Sequence, residues 1–338
     1  MMGAMGMGRK SLFLSVVLVM LLATIGCATR VPVSRLVPAK LDMGPYRSLA
    51  LLPVESVGHG PFSQRTGALE DLSSTAPVIV YPGLELFAGR RTAEYATEVL
   101  AKRLSESGYF DLLPPDETQT RATDFEALTH AGYSALLVPS ISRMDVQEYL
   151  FARNLGDNRF SHHLMQTVQL ALSIEVIDLK DGLAVYRSTV TDRHERSFTL
   201  DGDEGTVAFA PPLMPLLEKM VSTLVDKTLA DLVPERKVSS IALMKDRDGS
   251  DGFREAYEAA AEGNLATAYH LFLREWERTE DPASGYNAAL VAESLGRRGE
   301  AILLMDRVHR ISQDARAARQ GARMRTYQEE QEHAESQF

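Results

Sequence analysis

The chain has 338 residues, 45% hydrophobic, 24% charged and 7% aromatic, a balance that excludes wholesale disorder. Its 36 Lys and Arg against 46 Asp and Glu leave a net charge of −10, which lacks the basic footprint that phosphate contacts need, so no nucleic-acid partner is expected. A single cysteine excludes an internal disulfide, a thiolate zinc site and a redox pair. At about 100–200 residues per domain, the length fits two domains or one large one.

Arg9 and Lys10 open a positive segment, and residues 11–25 follow as 15 uncharged, mostly large apolar residues. That run is shorter than the roughly 18–20 residues that cross a bilayer as a helix. Small residues come next, and then the sole cysteine, in the order Thr24-Ile25-Gly26-Cys27. The pattern resembles a bacterial lipoprotein signal peptide, which is cut before a cysteine that then carries lipid, with Thr24 in place of the preferred leucine. The resemblance implies a signal peptide over residues 1–26, lipid on Cys27, and a membrane partner held by several acyl chains, since one chain binds only marginally. Ala28 stands where an aspartate would retain a lipoprotein at the inner membrane. That implies attachment to the outer membrane, facing the periplasm.

Residues 27–45 contain Pro32, Pro38 and Pro45 without a clear period and read as a lipidated tether. A mixed α/β pattern then occupies residues 46–234. Residues 47–54 are a short apolar run interrupted by Pro53, expected as a buried strand. Residues 58–88 read as a long loop carrying a short strand near Val78. Residues 91–107 follow a helical period, with Ala93, Ala96, Val99, Leu100 and Leu104 on one face and Gly108 as the stop. A strand at 109–113, a short helix at 125–130 and a buried strand at 135–139 follow. Val168, Leu170, Leu172, Ile174 and Val176 alternate as the clearest strand, and the turn signal at 178–182 joins it to 184–191 as a hairpin. A helix over 213–233 ends at Pro234.

Residues 235–251 read as a linker with a short strand at 240–244, and everything beyond is helical. Gly263-x4-Ala268-x3-Phe272 recurs 33 residues later as Gly296-x4-Ala301-x3-Met305. This resembles tetratricopeptide (TPR) repeats, whose period is about 34 residues. Glu275 departs from the second alanine of that pattern. The resemblance implies two repeats over 252–312, in which Gly263, Ala268, Gly296 and Ala301 admit close helix approach. Phe272 and Met305 would fill the space between helices, and Tyr257, Tyr286 and Asn287 would lie on the concave face as partner contacts. Residues 313–338 carry an Arg-rich and then a Glu-rich stretch, expected as a charged helix or a solvated tail.

The segments "RSLALLPV", "LSESGYFDLLP", "SALLVPSI" and "LALSIEVIDLKDGLAVYRS" occur in that order. Together they resemble the periplasmic α/β domain shared by CsgG-like curli-secretion lipoproteins, penicillin-binding-protein activators and the N-terminal domain of TolB. The implied fold class is α+β: a mixed-sheet α/β domain followed by an all-α, TPR-like helical-repeat domain.

The sequence contains no G-x-S-x-G, H-E-x-x-H or phosphate-loop motif, so no catalytic, cofactor or metal residue is expected. Adjacent His162 and His163 rarely share a metal and read as a polar loop; Asp201, Asp203 and Glu204 read as a solvated turn. The expected function is that of a non-enzymatic cell-envelope lipoprotein, an assembly, scaffold or secretion-accessory component. It would dock envelope proteins, or a second copy of itself, through its α/β surface and its helices. The alternative is an envelope hydrolase or ligand-binding lipoprotein with an unrecognised site, which requires a concave pocket with convergent polar groups.

Overall fold

A computed structural model describes residues 29–56, 64–65, 78–80, 88–121, 125–156, 159–200, 207–209, 212–246 and 249–338. The chain is α+β, a mixed sheet followed by a run of helices. After β1 (Arg30–Val37) come β2 (Ser48–Leu51), β3 (Glu55–Ser56), β4 (Gln64–Arg65), β5 (Val78–Val80), α1 (Ala88–Glu106) and β6 (Asp111–Leu113). Next are α2 (Pro115–Arg121), α3 (Phe125–His130), β7 (Ala135–Gly156), β8 (Arg159–Asp178), β9 (Ala184–Leu200), β10 (Val207–Phe209) and α4 (Met214–Leu232). The chain closes with β11 (Glu235–Ala242), α5 (Asp251–Ala261), α6 (Leu265–Thr279), α7 (Pro282–Ser294), α8 (Arg298–Ser312) and α9 (Ala315–Ser336). It divides into two compact units. A helical unit takes the described residues up to Val37 with Arg236–Ser336, and an α/β unit takes Pro38–Glu235 with Gln337 and Phe338.

The α/β unit is built on a seven-stranded sheet whose main path is β6-β2-β7-β8-β9, with β3 and β4 also pairing to β7. β6, β2 and β7 are parallel, whereas β7, β8 and β9 are antiparallel. The unbroken apolar run of β2 follows from burial on both faces, as parallel strands require. Leu49 and Leu51 share one core with Leu100 and Leu104 of α1 and Leu217, Val221 and Leu224 of α4. Ala50, one residue out of phase, joins Leu113, Leu128, Leu136 and Leu179 in a second. Each fully buried leucine of α1 contributes about 1.5–3 kcal/mol. The alternation of Val168 to Val176 places all five apolar side chains in the larger core. The β8–β9 turn closes through Asp178 N–H donating to Leu183 O at 2.9 Å, with Gly182 at φ +70°, a conformation that favours glycine.

The β7–β8 hairpin is longer than the sequence suggests. Pairing continues to Gly156 and Arg159 and takes in His162 and His163, so these histidines lie on a strand and not in a loop. Val146, Leu164 and Val168 continue the alternating buried face, which keeps the strands paired. His163 lies 3.2 Å from Ser161 Oγ and 3.4 Å from Thr199 Oγ1. Asp201, Asp203 and Glu204 fall outside the described residues.

In the helical unit, two segments expected as tether and linker are strands, β1 and β11, paired as a two-stranded ribbon. Val31 and Val33 alternate across Pro32 and are buried, a period-two signal that the prolines obscure. Pro32, which has no N–H to offer a sheet, accepts a hydrogen bond on its carbonyl from Ser294 Oγ. Ser34 O accepts from Arg298 Nη2 at 2.8 Å, and Arg35 pairs with Glu330.

The 33-residue repeat is present in the backbone itself. Gly263 and Gly296 end α5 and α7 at φ +81° and +79°, while Glu280 and Gln313 end α6 and α8 at +52° and +54°. The last of these turns starts α9, so the charged tail is a helix that opens a third turn of the period. Ala317, Gly321 and Met324 of α9 are buried, and Arg323 Nη1 donates to buried Glu293 Oε1 at 3.0 Å.

Candidate functional site

Ala268, Phe272, Ala301 and Met305 are all fully buried in the helical core, where their equivalent places in the period put them. Gly263 and Gly296 act differently from expectation. A Cβ on either would meet nothing within 4 Å, so they supply a left-handed turn and not close packing. The close approach occurs at Gly285 instead. There a Cβ would stand 2.6 Å from Val308 Cγ2 and 2.7 Å from Trp276 Cδ2. Tyr269, on the neighbouring helix α6, donates to Glu300, and burial together with this bond pushes its hydroxyl up to about 12.

The three expected partner contacts are used internally. β1 packs on α5, α7 and α9, the first helices of successive pairs. Tyr286 is 7% exposed and Asn287 is fully buried. Asn287 Oδ1 accepts from Met244 N–H at 2.7 Å and its Nδ2 donates to Met244 O at 2.8 Å. Tyr257 is half-buried, and its hydroxyl oxygen accepts from Thr29 N–H at 2.9 Å.

Thr29 is held from both sides, because its carbonyl also accepts from Leu243 N–H at 2.9 Å. Tyr257 stacks on Phe253 with ring centroids 6.1 Å apart, and Phe253 meets Phe272 edge-on at 5.5 Å. Phe253 and Tyr257 line a cavity of about 240 Å³ together with Lys245, Asp246, Arg254 and Glu258. The aromatic rings give it an apolar floor, and charges of both signs form the rim.

The start of α5 is fixed by Ser250, whose Oγ accepts from Phe253 N–H at 3.1 Å and donates to Glu275 Oε1 at 2.6 Å. Glu275 also accepts from Arg278, and these bonds, that from Ser250 foremost, hold its carboxyl below the usual range. The departure from the repeat pattern at Glu275 thus has a local task, to brace the cap of α5. A serine directly before an amphipathic run is the sequence signal for that cap.

The α/β unit has its own polar cluster. Buried Asp231 accepts from Tyr186 at 2.9 Å and Ser188 at 3.2 Å, and pairs with Lys40 at 2.5 Å. The hydrogen bond and charge of Asp231 raise the Lys40 pKa, so the amine stays protonated beside the carboxylate. Among the described residues no group of three or more His, Asp, Glu or Cys is placed to hold a metal. No described helix is long and apolar enough to cross a membrane. Cys27 lies outside the described residues.

No family model matches the chain, and no curated protein matches it. Solved structures do match part of it. The PelC dodecamer from Paraburkholderia phytofirmans is 12% identical, with 58% of this chain and 94% of that chain covered at a TM-score of 0.25. Lipoprotein GNA1162 from Neisseria meningitidis is 12% identical, with 54% and 97% covered at 0.25. The LpoB C-terminal domain from Salmonella enterica is 12% identical, with 44% and 84% covered at 0.17. At such identities and TM-scores the likeness identifies no function.

Proposed function

We propose that the protein is a non-enzymatic lipoprotein of the cell envelope, anchored through Cys27 on the periplasmic side of the outer membrane, that docks protein partners. The observation that carries this reading is the N-terminal sequence, in which a basic segment and 15 uncharged residues lead to the only cysteine. The backbone period of 33 residues supports TPR-like packing of α5–α9, and the order of segments from RSLALLPV to LALSIEVIDLKDGLAVYRS supports the CsgG-like reading of the α/β unit. With Tyr286 and Asn287 internal, docking moves to exposed apolar side chains, of which Leu303 (73% exposed) and Ile311 (43%) of α8 are the most exposed on the described helices.

Metabolic labelling with an alkyne palmitate should mark the wild type and leave Cys27→Ser unmarked; equal labelling of the two refutes the anchor. Affinity purification from membranes should recover fewer envelope proteins with Leu303→Glu, at unchanged labelling. Unchanged recovery removes α8 as the docking face.

A further inference from the structure

On the reading that Cys27 carries lipid, we propose that the α5 face of the helical unit, around Tyr257, Lys245 and Arg254, is a membrane-contact surface whose occupant is the phospholipid leaflet holding those acyl chains. The argument is one of reach. Thr29 follows Cys27 by two residues, which extend to no more than about 7 Å. Thr29 is not free to swing, since Tyr257 and Leu243 hold its N–H and its carbonyl. A tether running to residue 45 would let the folded protein drift about 60 Å from the bilayer. The described structure cuts that freedom to a two-residue link.

Acyl chains on Cys27 place its sulfur at the boundary between headgroups and hydrocarbon. The polar layer on each side of a bilayer is about 5–8 Å thick, so a Thr29 held within about 10 Å of that boundary, two residues plus the cysteine side chain, sits among the headgroups or at their outer edge. Tyr257, bonded directly to it, sits there too. The residues around it suit that depth. Tyr257 is an amphipathic ring with a polar tip, and Lys245 and Arg254 are exposed long side chains that extend from apolar stems. Phe253 backs the face from the core. Asp246 and Glu258 share the rim, and Arg254 pairs with Asp251, so the face carries no strong net charge. Contact is therefore set by the short link and not by attraction to anionic lipid. The acyl chains provide the affinity, and this face sets the orientation.

The test uses the full lipidated chain in vesicles of phosphatidylethanolamine with a minority of phosphatidylglycerol, doped with a headgroup nitroxide quencher. Lipidation consumes the only native thiol, so Glu258→Cys or Leu303→Cys each offers one site for an environment-sensitive dye. The dye at 258 should lose much of its emission to the quencher, and the dye at 303 should lose little. Raising the phosphatidylglycerol content should not change that contrast. If mass spectrometry shows the acylated chain and both dyes are quenched equally, the orientation is wrong while the anchor stands. If no acyl mass is found on Cys27, the anchor itself fails and the orientation with it.

Discussion

Gly285→Ala sets two effects of opposite sign against each other in the helical core. In a helix interior, replacing glycine by alanine stabilises by about 1 kcal/mol, because the unfolded chain loses freedom. At Gly285 the new methyl would stand 2.6 Å from Val308 Cγ2, 2.7 Å from Trp276 Cδ2 and 2.8 Å from Trp276 Cε3. Trp276 and Val308 are buried and cannot retreat without moving their neighbours, and the indole is a rigid plate. Overpacking of this kind costs about 1–3 kcal/mol, and three simultaneous contacts put this site near the upper end. A net loss of about 2 kcal/mol follows. Gly299, on α8, is the control, since a methyl there meets nothing within 4 Å. Gly299→Ala should stabilise by up to about 1 kcal/mol. Trp276 is the only tryptophan in the chain, so urea unfolding followed by its fluorescence reports on the helical unit. Opposite shifts in midpoint are expected, and a Gly285→Ala variant at least as stable as wild type would refute the packing argument.

Asn287→Leu should destabilise the helical unit by about 2–4 kcal/mol in the same assay, because both Met244 backbone groups lose their buried partner; an unchanged midpoint would show that these two bonds do not support the fold. The lowered pKa of Glu275 means that its contribution is complete above the ordinary carboxylate range and is lost as pH falls through the depressed folded value. The urea midpoint should therefore drop on acidification, and Glu275→Gln should be less stable at neutral pH with a shallower decline; an unaltered pH slope counts against this. Deleting Gln337 and Phe338 removes the acceptor of Tyr109 Oη–H at 2.6 Å and two bonds to Ala39 at 2.9 and 3.1 Å. It should lower the stability of the α/β unit by about 2–4 kcal/mol, seen as an earlier thermal transition in circular dichroism.

The parts legible in the sequence are those whose physical cause is local. Leu170 and Leu172 announce a strand because period two and burial on one face are the same fact, and Asp178 to Gly182 announce its turn by φ and side-chain chemistry. The 33-residue spacing of Gly263 and Gly296 is visible because each ends a helix in the left-handed region, where glycine is favoured. What each glycine does was not legible. Packing glycines and turn glycines look alike in a sequence, and only the surroundings of Gly285 separate it from Gly263. β1 was hidden for a different reason. Pro32 within it and Pro38 just after it mimic a flexible linker, and its partner strand lies about two hundred residues away, so no local window holds both halves of the ribbon. That distant pairing decides how the functional reading changes. β1 packs on α5, α7 and α9, while Tyr286 meets Gln320 and Arg323 of α9 and Asn287 bonds the Met244 backbone, so both are internal. Thr29, directly before this strand, bonds Tyr257, so the pairing also fixes where the described chain enters the fold.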